Sequence, residues 1–229
     1  DGEQLSFPYS IDERDPMRKS RRMTNGLTEY VIATGRPLLA DRPVIAQLAE
    51  QGVPTITLIS DLSNSRRVAY VGLDNRAAGR TAAYLIARFM GPLAHSRKAH
   101  VAMIVGSLRY RAHEEREAGF LHLFEEQFPL VQVVGVREGQ DDAERNYRQA
   151  RALLEQHDDL AGIYNIGGGA EGVGRALKEH GRDPASTVFV AHGLTPDTRA
   201  LLIDGTLDAV ITQHPQTVLL NAVRIFTNL

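Results

Sequence analysis

The stretch from Val101 to Phe120, VAMIVGSLRYRAHEEREAGF, carries the densest set of side chains able to do chemistry. An apolar run, residues 101–105, stops at Gly106. A polar, basic loop follows, and a helical pattern opens near His113. In open α/β sheets, ligands sit where strands end and helices begin. The loop therefore brings Ser107, Arg109, Tyr110, Arg111 and Arg116 to such a mouth. Hydroxyls and guanidinium forks in that place suit a polar ligand rich in hydrogen-bonding groups. The same residues also describe a solvated, charged helix start.

Other candidate chemistry is thinner. Gly167-Gly168-Gly169-Ala170-Glu171-Gly172 fits the G-x-G-x-x-G pattern between a strand and a helix, the local context of a dinucleotide site. That site also needs an acid near the end of the next strand, where the chain has Ala191, His192 and Gly193. A tight glycine turn is the competing reading. There is no phosphate loop of the G-x-x-x-x-G-K-[ST] type and no G-x-S-x-G elbow. The histidines show no H-E-x-x-H spacing, and the chain has no cysteine. No catalytic residue, metal site or cofactor is expected on these grounds.

The elements that must hold these residues follow from periodicity. From Pro43 a regular beat runs to the end of the chain: helix 43–51, strand 54–60, strand 68–73, a helix capped by Asp74, strand 100–105, helix 113–127 and strand 131–136. A helix opened by Asp141 or Asp142 comes next, then strand 162–166, helix 170–180, strand 187–191, a helix opened by Thr195-Pro196-Asp197, strand 208–212 and helix 217–226. Alternation of this kind predicts α/β architecture with doubly wound parallel sheets. The length, 229 residues, allows two small lobes. We expect 43–96 with 213–229 as an incomplete first lobe and 97–212 as the second. With 26 Lys and Arg against 28 Asp and Glu, the net charge of −2 gives no broad basic surface for nucleic acid. No apolar run approaches a membrane span, so no membrane partner is expected. The N-terminus does not read as a signal peptide, though Asp1 could follow a cleaved leader.

Residues 1–42 read differently. FPYSIDERDP followed by NGLTEYVIATGRPLLA resembles the middle of a GAF sensory domain, over less than one such domain. The remainder carries YVGLDNRAAGRTAAYLIARF, VGSLRYRAHEEREAGF, GIYNIGGGAEGVGRALKEHG, VFVAHGLTPDTRALLIDG and AVITQHP in order. Together these resemble the effector-binding domain of LacI/GalR-type bacterial transcriptional regulators, which shares its fold with periplasmic sugar-binding proteins. The resemblance implies two Rossmann-like lobes closing on a small ligand. It implies Arg116, in the R-x-x-G-F motif, as the ligand-binding arginine, with Asn165 and Gln213 as further contacts. His192, Asp61, Tyr110 and Ser107 complete the candidate set. The chain departs from the motifs at Ile166, Gly193 and Asp61, and two acids are lost. A phosphorylated or acidic ligand suits the arginines that stay.

The expectation is thus a cytoplasmic, homodimeric ligand-sensing domain of a LacI-like repressor. It is not an enzyme and binds a sugar, polyol or sugar phosphate. DNA would be read only through a helix-turn-helix absent from this sequence, and the chain reads as chimeric or truncated. The alternatives are a periplasmic-type sugar-binding protein of a transport system and, further off, a nicotinamide-dependent oxidoreductase using Gly167–Gly172. With its charge slightly negative, this chain is expected to give no salt-sensitive, sequence-specific gel shift with DNA.

Overall fold

Two periods in the sequence, near 3.6 and 2, set out the helices and strands that the fold assembles. The computed structural model describes residues 4–5, 21–22, 42–96, 99–108, 110–181 and 186–229. Strands β1 (Gln4–Leu5) and β2 (Arg21–Arg22) form a short antiparallel pair. Otherwise the GAF-like stretch, with its expected helix at 27–34, lies outside the described residues. Then come α1 (Arg42–Glu50), β3 (Ile56–Leu58), β4 (Ala69–Val71), α2 (Asn75–Met90), α3 (Leu93–Ser96), β5 (Ala99–Val105), α4 (Arg111–Gln127) and β6 (Val131–Glu138). The chain continues through α5 (Ala143–Gln156), β7 (Leu160–Asn165), α6 (Ala170–His180), β8 (Val188–His192), α7 (Pro196–Ile203), β9 (Ala209–Ile211) and α8 (Pro215–Thr227).

The expected α/β architecture with parallel sheets is present. Strands β3 and β4 pair in parallel. A five-stranded sheet runs in the order β6-β5-β7-β8-β9, every pair parallel. The chain leaves β5 to one side for β6, then crosses to β7 on the other side. That reversal makes the carboxyl ends of β5 and β7 a topological switch point, where a crevice opens.

Alternation along the strands builds a core on each face. Val101, Met103 and Val105 of β5 join Phe120, Phe124 and Ile86 from α4 and α2. Ala102 and Ile104 join Leu153, Leu154 and Val173 from α5 and α6. Helix α2, which the sequence reading counts with the first lobe, therefore packs on the second sheet. Its apolar face, Ala82, Ala83 and Ile86, shows that it is buried but not against which sheet. Helix α8 lies beside β4.

Helices α2 and α4 cross at two glycines. A Cβ on Gly79 would stand 1.9 Å from the Arg116 carbonyl oxygen, and one on Gly119 would stand 2.1 Å from that of Arg76. Backbone meets backbone at both points, so no side chain can yield. Gly79→Ala is expected to lose about 1–3 kcal/mol through overpacking, less any gain in helix propensity. For a chain of this size that lowers the melting temperature by roughly 2–4 °C per kcal/mol, which thermal denaturation followed by circular dichroism would measure.

Candidate functional site

Loops after β3, β5 and β6, on the β5 side of the switch point, define a cleft of about 1070 Å³. One wall comes from Ser60, Asp61 and Ser63 after β3, with Arg42 at the start of α1. The other comes from Gly106, Ser107, Tyr110, Arg111 and Glu114 after β5, with Glu138, Gln140 and Asp141 after β6. The walls touch where the Ala112 N–H, in the first turn of α4, donates to Ser60 Oγ at 3.3 Å. This meets one of the orphan donors of a helix start whose N-cap residue, Tyr110, makes no side-chain cap. A smaller recess of about 330 Å³ shares Asp61, Arg111 and Glu114 with the main cleft.

Three of the seven expected residues line the cleft: Ser107, Tyr110 and Asp61. Tyr110 is exposed and sets its ring edge-on to His113 at 5.4 Å. Asp61 is committed to structure. Its carboxylate takes Arg67 in a fork at 2.5 and 2.6 Å, the Thr57 hydroxyl at 2.9 Å and the Leu62 N–H at 2.8 Å. Burial pushes its pKa up, but these bonds outweigh it and hold the group below the usual carboxylate range.

The other four lie away from the cleft lining. Arg116 is 6 % exposed; its Nε donates to Asn75 Oδ1 at 2.9 Å and its Nη1 to the Ile166 carbonyl at 2.8 Å. It makes no ion pair among the described residues; burial lowers its pKa, and the more distant Asp141 carboxylate only partly opposes this. Asn165 spends its amide on the glycine loop. Its Nδ2 donates to the carbonyls of Gly167 and Gly168 at 2.9 and 3.0 Å, and its Oδ1 accepts from Asn146 at 3.1 Å. His192 meets the Tyr164 hydroxyl at 2.6 Å. Gln213 stands in the crossing between β9 and α8, with its Oε1 buried and unpartnered among the described residues.

The glycine loop is occupied by protein. The Gly168 N–H donates to Asp141 Oδ1 at 2.7 Å, and a Cβ on Gly172 would lie 1.9 Å from the Ala143 carbonyl oxygen. The glycines let α5 and α6 approach, and a carboxylate stands where a dinucleotide would need to bring its pyrophosphate. Gln140 and Asp141 both adopt positive φ, 57° and 56°, a conformation that costs non-glycine residues energy and collects at functional sites. The turn is tied to the sheet by N–H donation from Gly139 to Val105 and from Gln140 to Gly106, both at 2.8 Å. Asp141 thereby covers Gly106 and Gly167, with His113 beside it. Sequence reasoning took Asp141 only as a helix start; Asp142 holds that place, accepting from the Arg145 N–H at 2.8 Å. The pointer was positional, since Glu138–Asp141 follows a strand next to the switch point.

The profile of the periplasmic binding protein domain matches residues 32–229. The chain belongs to that family. Among solved structures it is similar to GanP, a glucose-galactose binding protein from Geobacillus stearothermophilus, with 29% identity and a TM-score of 0.73, over 81% of this chain and 64% of that one. An ABC transporter solute-binding protein from Burkholderia graminis, solved with D-arabinose, gives 27% identity and a TM-score of 0.70 over 77% and 60%. A sugar-binding protein of a sugar ABC transporter from Bacillus halodurans gives 27% and 0.65 over 72% and 55%. The chain thus spans less than two-thirds of the length of these relatives. No curated protein sequence matches it.

Two expectations change. The periplasmic binding protein match takes in residues 32–42, which the sequence reading gave to a GAF-like fragment, and the GAF resemblance finds no support. The cytoplasmic placement is overturned: the matching family is that of periplasmic binding proteins, and the similar structures include sugar- and solute-binding proteins of ABC transporters.

Two histidines at the switch point set a pH dependence. Burial lowers the pKa of His113, with Asp141 opposing. Burial followed by the charges of Arg116 and His113 drives His192 well below its ordinary 6.5. Both folded-state values lie below the unfolded one, so the unfolded chain takes up protons first as pH falls. Stability is complete above pH 6.5 and declines below it, by about 1.4 kcal/mol per pH unit for each full proton of difference. The melting temperature is expected to fall between pH 7 and 5, and His192→Gln to make that fall shallower.

Proposed function

We propose that the chain is the sugar-binding domain of a solute-capture protein serving an ABC-type transporter, and that it works outside the cytoplasmic membrane. The observation that carries this is the cleft at the switch point, walled by hydroxyls, carboxylates, an amide and guanidinium groups. Such groups fix the hydroxyls of a sugar ring with directed hydrogen bonds, and Tyr110 offers a flat face for its C–H side. The names of the similar structures, a glucose-galactose binding protein and a D-arabinose complex, support the same class. Asp61, Glu114, Glu138 and Asp141 face only Arg42 and Arg111 in the lining. That balance favours a neutral sugar over a phosphorylated one.

In this reading Arg116 supports the floor. Its hydrogen bonds to Asn75 Oδ1 and to the Ile166 carbonyl hold α4 to α2 and to the end of β7 beneath the cleft. His113 and Asp141 bridge that floor to the cleft wall. The LacI-type regulator reading shares the fold and rests on motif order; the relatives' links to transport make capture the better-supported function.

Calorimetric titration with D-glucose, D-galactose and D-arabinose tests the proposal. At least one is expected to bind one to one and to raise the melting temperature. Tyr110→Ala should keep the fold and weaken binding about tenfold. Arg116→Ala should weaken both, since it also strands Asn75 Oδ1 and the Ile166 carbonyl inside the protein. No heat and no thermal shift with any of the three sugars would overturn the proposal.

A further inference from the structure

At the end of the sheet opposite the cleft, three residues far apart in sequence meet. His100 is the second residue of β5 and pairs in register with Leu160, the first of β7. His157 is the C-cap of α5, and the turn after it closes through donation from the Leu160 N–H to the His157 carbonyl at 3.1 Å. Parallel pairing of β5 with β7 therefore fixes His100 beside the 157–160 turn. His100 Nδ1 lies 2.7 Å from Asp159 Oδ1, and the His157 ring stands edge-on to that of His100 at 5.5 Å.

We propose that His100, His157 and Asp159 bind a borderline divalent transition-metal ion, Zn²⁺ foremost. One ligand atom from each lies within 4.8 Å of the other two. Bonds of about 2.0–2.2 Å to tetrahedral Zn²⁺ put donors roughly 3.4 Å apart, so rotations of two imidazoles and one carboxylate close the set. Two nitrogen donors and one oxygen select Zn²⁺ over Mg²⁺ or Ca²⁺, which take oxygen. The site is half open. The His100 side chain is 24% and that of Asp159 52% exposed, which leaves an entry path and a fourth position for water. An ion pair alone accounts for His100 and Asp159; the second imidazole turns the pair into a donor set. No short motif announces it, because the ligands come from β5 and from the α5–β7 turn. Bound metal would staple the start of β5 to that turn, leaving the cleft at the other ends of the strands untouched.

The test is titration of the full chain with ZnCl₂ at pH 7.5, read by calorimetry and by melting temperature, with Co²⁺ absorbance as a coordination signature. One ion per chain is expected, with a rise in melting temperature that a chelator reverses. His100→Gln and His157→Gln should each abolish the stoichiometric site, and Asp159→Asn should weaken it by at least the roughly tenfold that loss of an outer-shell partner costs. Tyr110→Ala in the cleft and His122→Ala on the outer face of α4 should leave it unchanged. Circular dichroism checks that each variant is folded. If a histidine variant does not fold, Asp159→Asn and the Co²⁺ spectrum of the unaltered chain decide. Overturning results are no stoichiometric binding by the unaltered chain, or unchanged binding in the folded variants at these three positions.

Discussion

One buried charge ties the molecule together at its working end. The Arg116 guanidinium joins three elements: α4, which carries it, α2 through Asn75, and the end of β7 through the Ile166 carbonyl. A charge in that place is costly unless its donors are used, so the three elements must arrive together. The Gly79–Gly119 crossing makes this possible, because only backbone-to-backbone contact brings α2 near enough for Asn75 to reach the arginine. The same crossing draws α2 onto the five-stranded sheet, away from β4 that precedes it. Asn75 in turn donates to the Tyr70 hydroxyl at 3.0 Å, which bonds back to the Leu73 carbonyl at 3.0 Å. The link from sheet to sheet is thus held by polar groups at each step.

Periodicity made the body of the fold legible. The Asp74 cap, the Thr195-Pro196 start and the alternating strands all lie where local physics requires them, and the Thr195–Thr198 capping box forms in full. Lobe membership of α2 was not legible, because an amphipathic pattern reports burial and not the partner. The site was legible in part. The loop after β5 brought Ser107 and Tyr110 to the cleft because a strand end at a switch point must face it. Asn165 was expected as a ligand contact, but its amide bonds the carbonyls of the glycine loop, a demand visible only once Asn146 is placed across from it. Asp141 was read as helix punctuation because its strained backbone, which sets it over Gly106 and Gly167, leaves no mark in composition.

The cleft surface and the layer that supports it are also separated by depth. The groups at the cleft surface, Tyr110, Glu138 and Gln140, take part in no core cluster. The layer under them, Arg116, His113, Tyr164 and His192, is knitted to the strands, and burial raises the Tyr164 pKa far above its ordinary value. A neutral phenol and a neutral imidazole there keep the floor from adding charge of its own beside the guanidinium.

All strands of the five-stranded sheet run the same way, so every loop at their carboxyl ends opens toward one side while the glycine crossings and apolar faces hold the rest. Such a division makes the protein evolvable. On the proposed function, substitutions in the loops after β5 and β6 would redraw which ligand is preferred without asking the core to repack. The glycines at 79, 119 and 172 have no such latitude, since each faces a carbonyl oxygen closer than any side-chain atom could tolerate. Across descendants of this chain, ligand preference should drift quickly and helix crossing hardly at all.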